Sequence, residues 1–148
     1  MSEYIYNSPR AEFTEEECRI IIEAGIRYGT PLIANTYFLY DHIEKLVLSC
    51  NAKFWEYNLY VFGGEDIQFA ENDGICLSSD SVEEERRLTV IVQLSDEFDY
   101  VGGEVKCGGK VMHKNRGSVA IFPSYMKYSV GRVLQGNRYS LVAYAHGN

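Results

Sequence analysis

Few side chains of this 148-residue chain stand in a pattern that supports catalysis. There is no GxSxG nucleophile motif, no CxxC pair, and no spacing that pairs a cysteine with a histidine. The histidines are far apart: His42, His113 and His146.

Two helices are predicted in the first third of the chain. Thr14 and Glu17 have the spacing of a capping box, and the apolar segment after them should end near Gly29 and Pro31. A second helix is predicted from Thr36 to about Ala52, where apolar residues recur at the spacing of one helical face. The strands that follow these two helices in the chain include the one predicted to carry Arg138.

The rest of the chain predicts strands. Residues 87–94 read RLTVIVQL, a run typical of a strand that is buried on both faces. A hairpin is predicted over 104–113 with its turn at Gly108-Gly109, and residues 96–103 are predicted as a loop. Further strands are predicted within 54–64, 67–72, 118–123 and 138–145. Helices followed by six to eight strands predict an α+β fold in which the helices support an antiparallel sheet.

Several of these segments resemble the iron(II)- and 2-oxoglutarate-dependent oxygenases, in particular the small prolyl-4-hydroxylase-like branch. The resemblance spans about residues 13–146 and rests on linked motifs: Arg87-Leu88-Thr89, Gln93-Leu94-Ser95-Asp96, Tyr100, Gly102-Gly103-Glu104, Phe122-Pro123-Ser124 and the segment 136–142. It implies a double-stranded β-helix, the cupin-like jelly-roll barrel, with N-terminal supporting helices. We expect one domain over 1–148, with a helical part at about 13–52 and a barrel at about 54–146.

The resemblance also implies where a metal site would lie. That family holds iron(II) with a His-x-Asp pair and a distant second histidine, a two-His, one-carboxylate triad. Ser78 and Asp80 fall at the pair, and Tyr128 falls at the second histidine. Arg138, ten residues after Tyr128, falls at the arginine that binds the far carboxylate of 2-oxoglutarate. A planar guanidinium can bind a carboxylate through two parallel hydrogen bonds. The alternative is that Arg138 pairs with an internal Asp or Glu and is structural.

Only one of the three ligand positions therefore keeps a usual ligand type. We expect no bound metal and no catalytic residue, and we interpret Arg138 as a vestigial 2-oxoglutarate carboxylate site. Asp80 has an alternative as a loop residue, an N-cap or a salt-bridge partner. A metal site rearranged around the three histidines is a further, weaker alternative.

Composition narrows the classes of partner. The net charge of −7 disfavours nucleic acid, whose phosphates would be repelled, and no apolar run is long enough to span a membrane. The four widely spaced cysteines and the lack of a secretory leader pattern predict an intracellular, cytoplasmic protein with reduced thiols. The charge run at 83–87 is predicted to be a solvated loop that leads into a strand. Twelve tyrosines fit either a Tyr-rich β core or a protein interface.

The sequence therefore predicts a non-catalytic structural or protein-interaction module on a degenerate oxygenase fold. Its partner would be another protein or further copies of the chain, and a phage virion or assembly component is one such role. One alternative is a hydroxylase that uses iron(II) and 2-oxoglutarate at a rearranged metal site. The other is a protein that binds a small carboxylate through Arg138 without metal.

Overall fold

The computed structural model describes residues 4–29, 37–61, 67–72, 76–77 and 85–148. Two helices and twelve strands lie in these ranges, in the following order: β1 (Tyr6–Asn7), α1 (Glu15–Tyr28), α2 (Tyr37–Phe54), β2 (Leu59–Val61), β3 (Gln68–Glu71), β4 (Cys76–Leu77), β5 (Arg86–Gln93), β6 (Tyr100–Gly102), β7 (Val105–Cys107), β8 (Lys110–Val111), β9 (Val119–Pro123), β10 (Tyr128–Val130), β11 (Val133–Gly136) and β12 (Tyr139–Gly147). The helices precede most of the strands, as the sequence predicts.

Helix α1 begins and ends where its sequence predicts. The Thr14 hydroxyl accepts a hydrogen bond from the Glu17 backbone N–H at 3.1 Å, and the Glu17 carboxylate accepts one from the Thr14 N–H at 2.8 Å. Gly29 follows the last turn with φ of 66°, and its N–H donates to the Gly25 carbonyl oxygen. Both bonds at the N-terminus satisfy donors that a helix cannot satisfy itself.

The larger sheet has the strand order β1-β9-β5-β12-β2, and β3 also pairs with β12. All of its pairings are antiparallel. Strand β5 is buried over Leu88–Gln93 on both faces, which confirms the prediction for its apolar run. In the register of this sheet Ser140 is opposite Gln93, and Phe122 is opposite Thr89.

A smaller sheet of order β4-β10-β7-β8 faces the first, and β6 pairs with β11 in a two-stranded ribbon. The predicted hairpin over 104–113 is formed by β7 and β8. The predicted loop over 96–103 is wrong in its second half, because Tyr100–Gly102 is strand β6 and bonds to β11 across a long sequence separation. Together the two sheets form a double-stranded β-helix supported by α1 and α2.

Two apolar clusters result from the alternation of side chains along the strands. Leu88, Val90 and Val92 of β5 face the helices and pack in a cluster with residues such as Ile21 of α1 and Ile43 of α2. Ile91 faces the other way, into the barrel, where Ala120 and Phe122 meet side chains of the smaller sheet. The polar members of this inward face define the candidate site below.

The described cysteine side chains are buried as free thiols: Cys18, Cys50 and Cys107. Burial raises the pKa of each of them from about 9 to about 11. Over the same described part of the chain, no helix is both long and apolar enough to cross a membrane.

The charge run leads into a strand, as the sequence predicts, but the strand begins one residue earlier than the predicted start at 87. Arg86 and Arg87 are the first two residues of β5, and both side chains are half-buried. Glu83 and Glu84 lie outside the described residues.

Candidate functional site

Arg138 lies in the barrel with only 1% of its surface exposed. Its backbone is held by Asn72: the Asn72 side-chain oxygen accepts from the Arg138 N–H at 2.6 Å, and the Asn72 N–H donates to the Arg138 carbonyl at 2.7 Å. Asn72 has φ of 52°, a left-handed conformation that asparagine tolerates better than most residues. These contacts fix Arg138 at the start of β12, from where its side chain enters the barrel.

A polar cluster surrounds the guanidinium. Arg138 Nη1 donates to the Ser140 hydroxyl at 3.2 Å, and Gln93 Nε2 donates to the Tyr100 hydroxyl at 2.8 Å. The Tyr100 hydroxyl also bonds with Arg138. Burial raises the pKa of Tyr100, whereas the charge and hydrogen bond of Arg138 act in the opposite direction. Tyr100 is therefore a neutral phenol at physiological pH, and it can share its oxygen between the two donors.

Gly103 permits the close packing of this cluster. A Cβ at this position would lie 3.0 Å from Arg138 Cδ and 3.1 Å from both Tyr100 Cε2 and Val133 Cγ2. Its φ of 65° is also one that side chains other than glycine rarely adopt. The second glycine of the Gly102-Gly103-Glu104 motif is thus required by the packing around Arg138.

Little space remains beside the guanidinium. The cavity that Arg138 lines together with Gln93, Ile91, Val105 and Met112 has a volume of about 10 Å³. That is room for about one water molecule, whereas pockets for small organic ligands have volumes of at least ~300 Å³. In this conformation the side chains of the barrel fill the position next to Arg138.

Tyr128 is the first residue of β10, a strand that the sequence analysis did not predict. Its ring is buried in the barrel's apolar cluster, with 8% of its surface exposed, and its centroid is 5.3 Å from that of Phe122. Phe122 is opposite Thr89, whereas Ser140, the bonding partner of Arg138, is opposite Gln93. Tyr128 and Arg138 therefore lie toward opposite ends of β5.

The other two predicted ligand positions, Ser78 and Asp80, lie outside the described residues. Leu77, the residue before Ser78 in the sequence, pairs with Tyr128 in the smaller sheet. Strand β4, which ends just before the predicted His-x-Asp position, is therefore hydrogen-bonded to β10, which begins at the predicted position of the second histidine.

The three histidines stand in different surroundings. The His42 ring packs on Phe13 at 4.2 Å, His113 Nδ1 lies 2.7 Å from the Ser8 carbonyl oxygen, and His146 is buried near Tyr60. Among the residues that the structure describes, no three His, Cys, Asp or Glu side chains are grouped so that they could hold a metal ion.

Iron(II) and 2-oxoglutarate, which the fold implies, do not fit these residues. A serine hydroxyl is a weak neutral donor, and a tyrosine phenol with a pKa of about 10 holds its proton at neutral pH. Neither replaces an imidazole, the nitrogen ligand of the two-His, one-carboxylate triad. The small cavity beside Arg138 leaves 2-oxoglutarate no room in this conformation.

Polar residues next to Arg138 were not assigned a role from the sequence. Gln93, Tyr100 and Ser140 belong to the motifs that carry the resemblance, but a motif does not indicate which members bond to each other. For Gln93 and Ser140 a signal does exist, since strand alternation places both on the inward face.

Comparison with known proteins identifies the fold but not the activity. No protein-family model matches the chain, and no curated protein matches it either. Among solved structures, a viral collagen prolyl hydroxylase from Paramecium Bursaria Chlorella virus-1 superposes with a TM-score of 0.66 at 18% identity over 93% of each chain. A prolyl-4-hydroxylase from Pseudomonas putida gives a TM-score of 0.70 at 15% identity, over 94% of this chain and 91% of that one.

A prolyl hydroxylase from Trichoplax adhaerens, solved with a peptide fragment of a hypoxia inducible factor, gives a TM-score of 0.59 at 18% identity. It covers 74% of this chain and 55% of that chain. All three are prolyl hydroxylases, and two of them match almost the whole of this chain. The chain therefore has the double-stranded β-helix fold of the prolyl-4-hydroxylase-like iron(II)- and 2-oxoglutarate-dependent oxygenases.

Proposed function

We propose that the chain is a non-catalytic interaction module built on an oxygenase-like barrel, which acts by binding a protein partner or further copies of itself. The observation that carries this proposal is the packing of Tyr128. A phenol occupies the position at which the resemblance implies the second histidine, and its ring is buried in an apolar cluster against Phe122.

The chemistry of that position opposes iron(II) binding. To ligate the metal well, the phenol would have to lose its proton, which costs free energy because a tyrosine phenol has a pKa of about 10 in water. Val130, Met126 and Phe122 belong to the same apolar cluster as Tyr128. A barrel without a working metal site can still present a rigid surface, and fold alone does not determine activity.

The second candidate function uses Arg138. The buried guanidinium and the neighbouring Tyr100 hydroxyl are donors that suit a carboxylate. This observation favours a protein that binds a small carboxylate without metal, or a hydroxylase that uses iron(II) and 2-oxoglutarate at a rearranged site. Either requires the side chains around the small cavity to move apart.

Anaerobic titration with iron(II) and 2-oxoglutarate distinguishes these functions. A metal-to-ligand charge-transfer band in the parent protein would reject the non-catalytic proposal and favour the hydroxylase. We expect no band from the parent and a band from the double variant Ser78→His, Tyr128→His. The matched control is Ser78→His with Tyr125→His, which adds the same number of histidines but leaves Tyr128 in place.

Calorimetric titration of 2-oxoglutarate without metal tests the carboxylate-binding alternative. We expect no heat of binding at millimolar ligand from the parent. Binding that Arg138→Gln abolishes would favour the alternative.

The oligomeric state in solution tests the interaction role itself. We expect either self-association or a co-purifying protein from the native source, measured by light scattering and mass spectrometry. A strict monomer that retains no partner would contradict the proposal. We extend this proposal to a phage virion or assembly component as one such role.

A further inference from the structure

Phe98 is 88% exposed, more than any other large apolar side chain that the structure describes. It lies in the turn before β6, and hydrogen bonds within that turn hold the backbone. The Phe98 N–H donates to the Asp96 carboxylate at 2.9 Å, and the Asp99 N–H donates to the Asp96 carbonyl oxygen at 3.0 Å. An aromatic ring that is presented on an ordered turn contributes little to folding, whereas such rings are frequent anchors of protein interfaces.

The ribbon of β6 and β11 exposes two further apolar side chains beside this turn. Val101 of β6 is 50% exposed and Leu134 of β11 is 68% exposed. The pairing of the two strands is irregular at Leu134, so that Leu134 and Gln135 together oppose Val101. We call Phe98, Val101 and Leu134 the ribbon face.

The border of the ribbon face is acidic. Glu97 is exposed next to Phe98. Arg116 Nη1 lies 2.9 Å from the Glu15 carboxylate, while Arg116 Nη2 lies 3.6 Å from the Asp99 carboxylate and 4.0 Å from that of Asp96. One guanidinium is thus shared among three carboxylates, and Glu97 adds a fourth, so the border carries an excess of negative charge.

The acidic surface continues along α1. A groove of about 550 Å³ opens there, lined by Arg116 and by one side of the helix, namely Glu15, Glu16, Arg19, Ile22 and Glu23. Arg19 is paired with Glu16 at 2.7 Å and with Glu23 at 3.2 Å, and all three side chains are exposed. The groove therefore offers carboxylates and open space to an incoming cationic side chain.

The hairpin of β7 and β8 has the opposite charge. Lys106 is opposite Val111 in its register, and these two residues and Lys110 are exposed. Strand β8 forms the border of the smaller sheet that is remote from β4. The carboxylate nearest to the hairpin in the chain is Glu104, and it lies 3.9 Å from Lys114. Two lysines therefore flank an exposed valine on this hairpin.

We propose that the ribbon face and its acidic border bind the β7–β8 hairpin of a second copy of this chain. A lysine ammonium gains from the Phe98 ring as well as from the carboxylates around it. Val111 and the aliphatic stems of the lysines provide apolar surface for Val101 and Leu134. This inference rests on the proposed interaction role, for which it names the partner and the two surfaces.

Charge reversal of the acidic border tests the first surface. Sedimentation velocity at about 0.15 M salt suits the measurement, because a Debye length of about 8 Å screens repulsion between distant parts of two acidic chains. We expect Glu15→Lys with Glu97→Lys to raise the dissociation constant of self-association at least about tenfold. The matched control is Asp41→Lys with Glu44→Lys on α2, which makes the same change in net charge at exposed positions and should associate at least as well as the parent. A loss that is equal in both variants, or absent from the first, would overturn the proposal.

Charge reversal of the hairpin, and then mixing, tests the match between the surfaces. Lys106→Glu with Lys110→Glu should also weaken self-association at least about tenfold, and more than the control Lys45→Glu with Lys53→Glu does. The border variant then has two basic surfaces and the hairpin variant has two acidic ones, so the two variants should bind each other although neither binds itself. A mixture that stays monomeric would overturn the proposal and leave the lysines a protective role at the border of the sheet.

Phe98→Ala tests the ribbon face without changing any charge. Because the ring is so exposed, its removal should leave the fold intact, which circular dichroism can check. We expect the dissociation constant to rise at least about threefold, since the variant loses the cation–π contact and its apolar area. An unchanged dissociation constant would mean that association does not use this face, and the proposal would fail.

These results separate this inference from the proposed function. A parent that associates while the charge variants behave as their controls would overturn the inference alone, because the chain would still be an interaction module. A charge-transfer band from the parent with iron(II) and 2-oxoglutarate would reject the non-catalytic function, whereas association between the two charge variants would still support the two surfaces.

Discussion

Substituting Gly103 by alanine measures how tightly the barrel is filled around Arg138. Two terms contribute to the expected cost. The left-handed backbone at φ 65° costs alanine about 1–2 kcal/mol, and the contacts of 3.0 and 3.1 Å to Arg138, Tyr100 and Val133 add about 1–3 kcal/mol of overpacking. We therefore expect Gly103→Ala to lower the free energy of unfolding by about 2–5 kcal/mol.

Gly109→Ala is the matched control. Gly109 has a similar φ of 79°, but a Cβ there would meet no atom within 4 Å, so only the backbone term of about 1–2 kcal/mol applies. Urea unfolding followed by the fluorescence of Trp55, the single buried tryptophan, measures both variants. If the two substitutions cost the same, the side chains around Arg138 can separate easily. The filled barrel would then be no obstacle to 2-oxoglutarate.

Three further measurements test the fold and its cores. Thr14→Ala should lower the free energy of unfolding by about 1 kcal/mol, because it removes the hydroxyl that accepts a hydrogen bond from the Glu17 N–H. Thr14→Ser should retain the stability of the parent in urea unfolding. Tyr100→Phe should lower the free energy of unfolding by about 1–3 kcal/mol, because the amide of Gln93 and the guanidinium of Arg138 lose a shared acceptor. An unchanged midpoint of urea unfolding would show that the hydroxyl does not contribute to stability. The free energy of unfolding should fall as the pH rises from about 9 to about 11, because burial raises the pKa of the three described thiols and the unfolded chain releases their protons first. Each thiol contributes up to about 1.4 kcal/mol per pH unit, and a free energy of unfolding that does not change over this range would contradict their burial.

Local signals in the sequence were sufficient to predict segments whose structure depends mainly on their own residues. The capping box of Thr14 and Glu17 needs only four residues, and it fixes the start of α1. The run of β5 is long and β-branched, so its burial on both faces follows from composition. The jelly-roll arrangement came from the resemblance, because strand order is a long-range property that periodicity does not contain.

Short strands that depend on distant partners were missed. Strands β6, β10 and β11 have three or four residues each, too few for a two-residue alternation to be recognised. Strand β6 forms because β11 lies beside it, and β10 forms between β4 and β7. The same limit applies to the site: the sequence predicts that Arg138 is important, but Tyr100 lies in a segment that reads as a loop.

The predicted end of the charge-run loop is one residue too late for a related reason. A run of acidic and basic residues is usually solvated, and nothing local distinguishes Arg86 from the glutamates before it, although Arg87 already begins the predicted strand. The surroundings of these two arginines are provided by Tyr144 of β12, Tyr57 and Tyr125, which are distant in the sequence. Only the folded chain brings these groups together.

The larger sheet ends at one side in β1, a strand of only two residues that covers β9. Strand β9 reads VAIFP, and all five of its residues are buried. Truncation or a bulky fusion that displaces Tyr6 and Asn7 would turn β9 into an uncovered apolar border, on which a second molecule could add its own strand. Expression designs that begin after residue 7 should therefore yield aggregated or strand-exchanged material, whereas those that keep it should stay in solution.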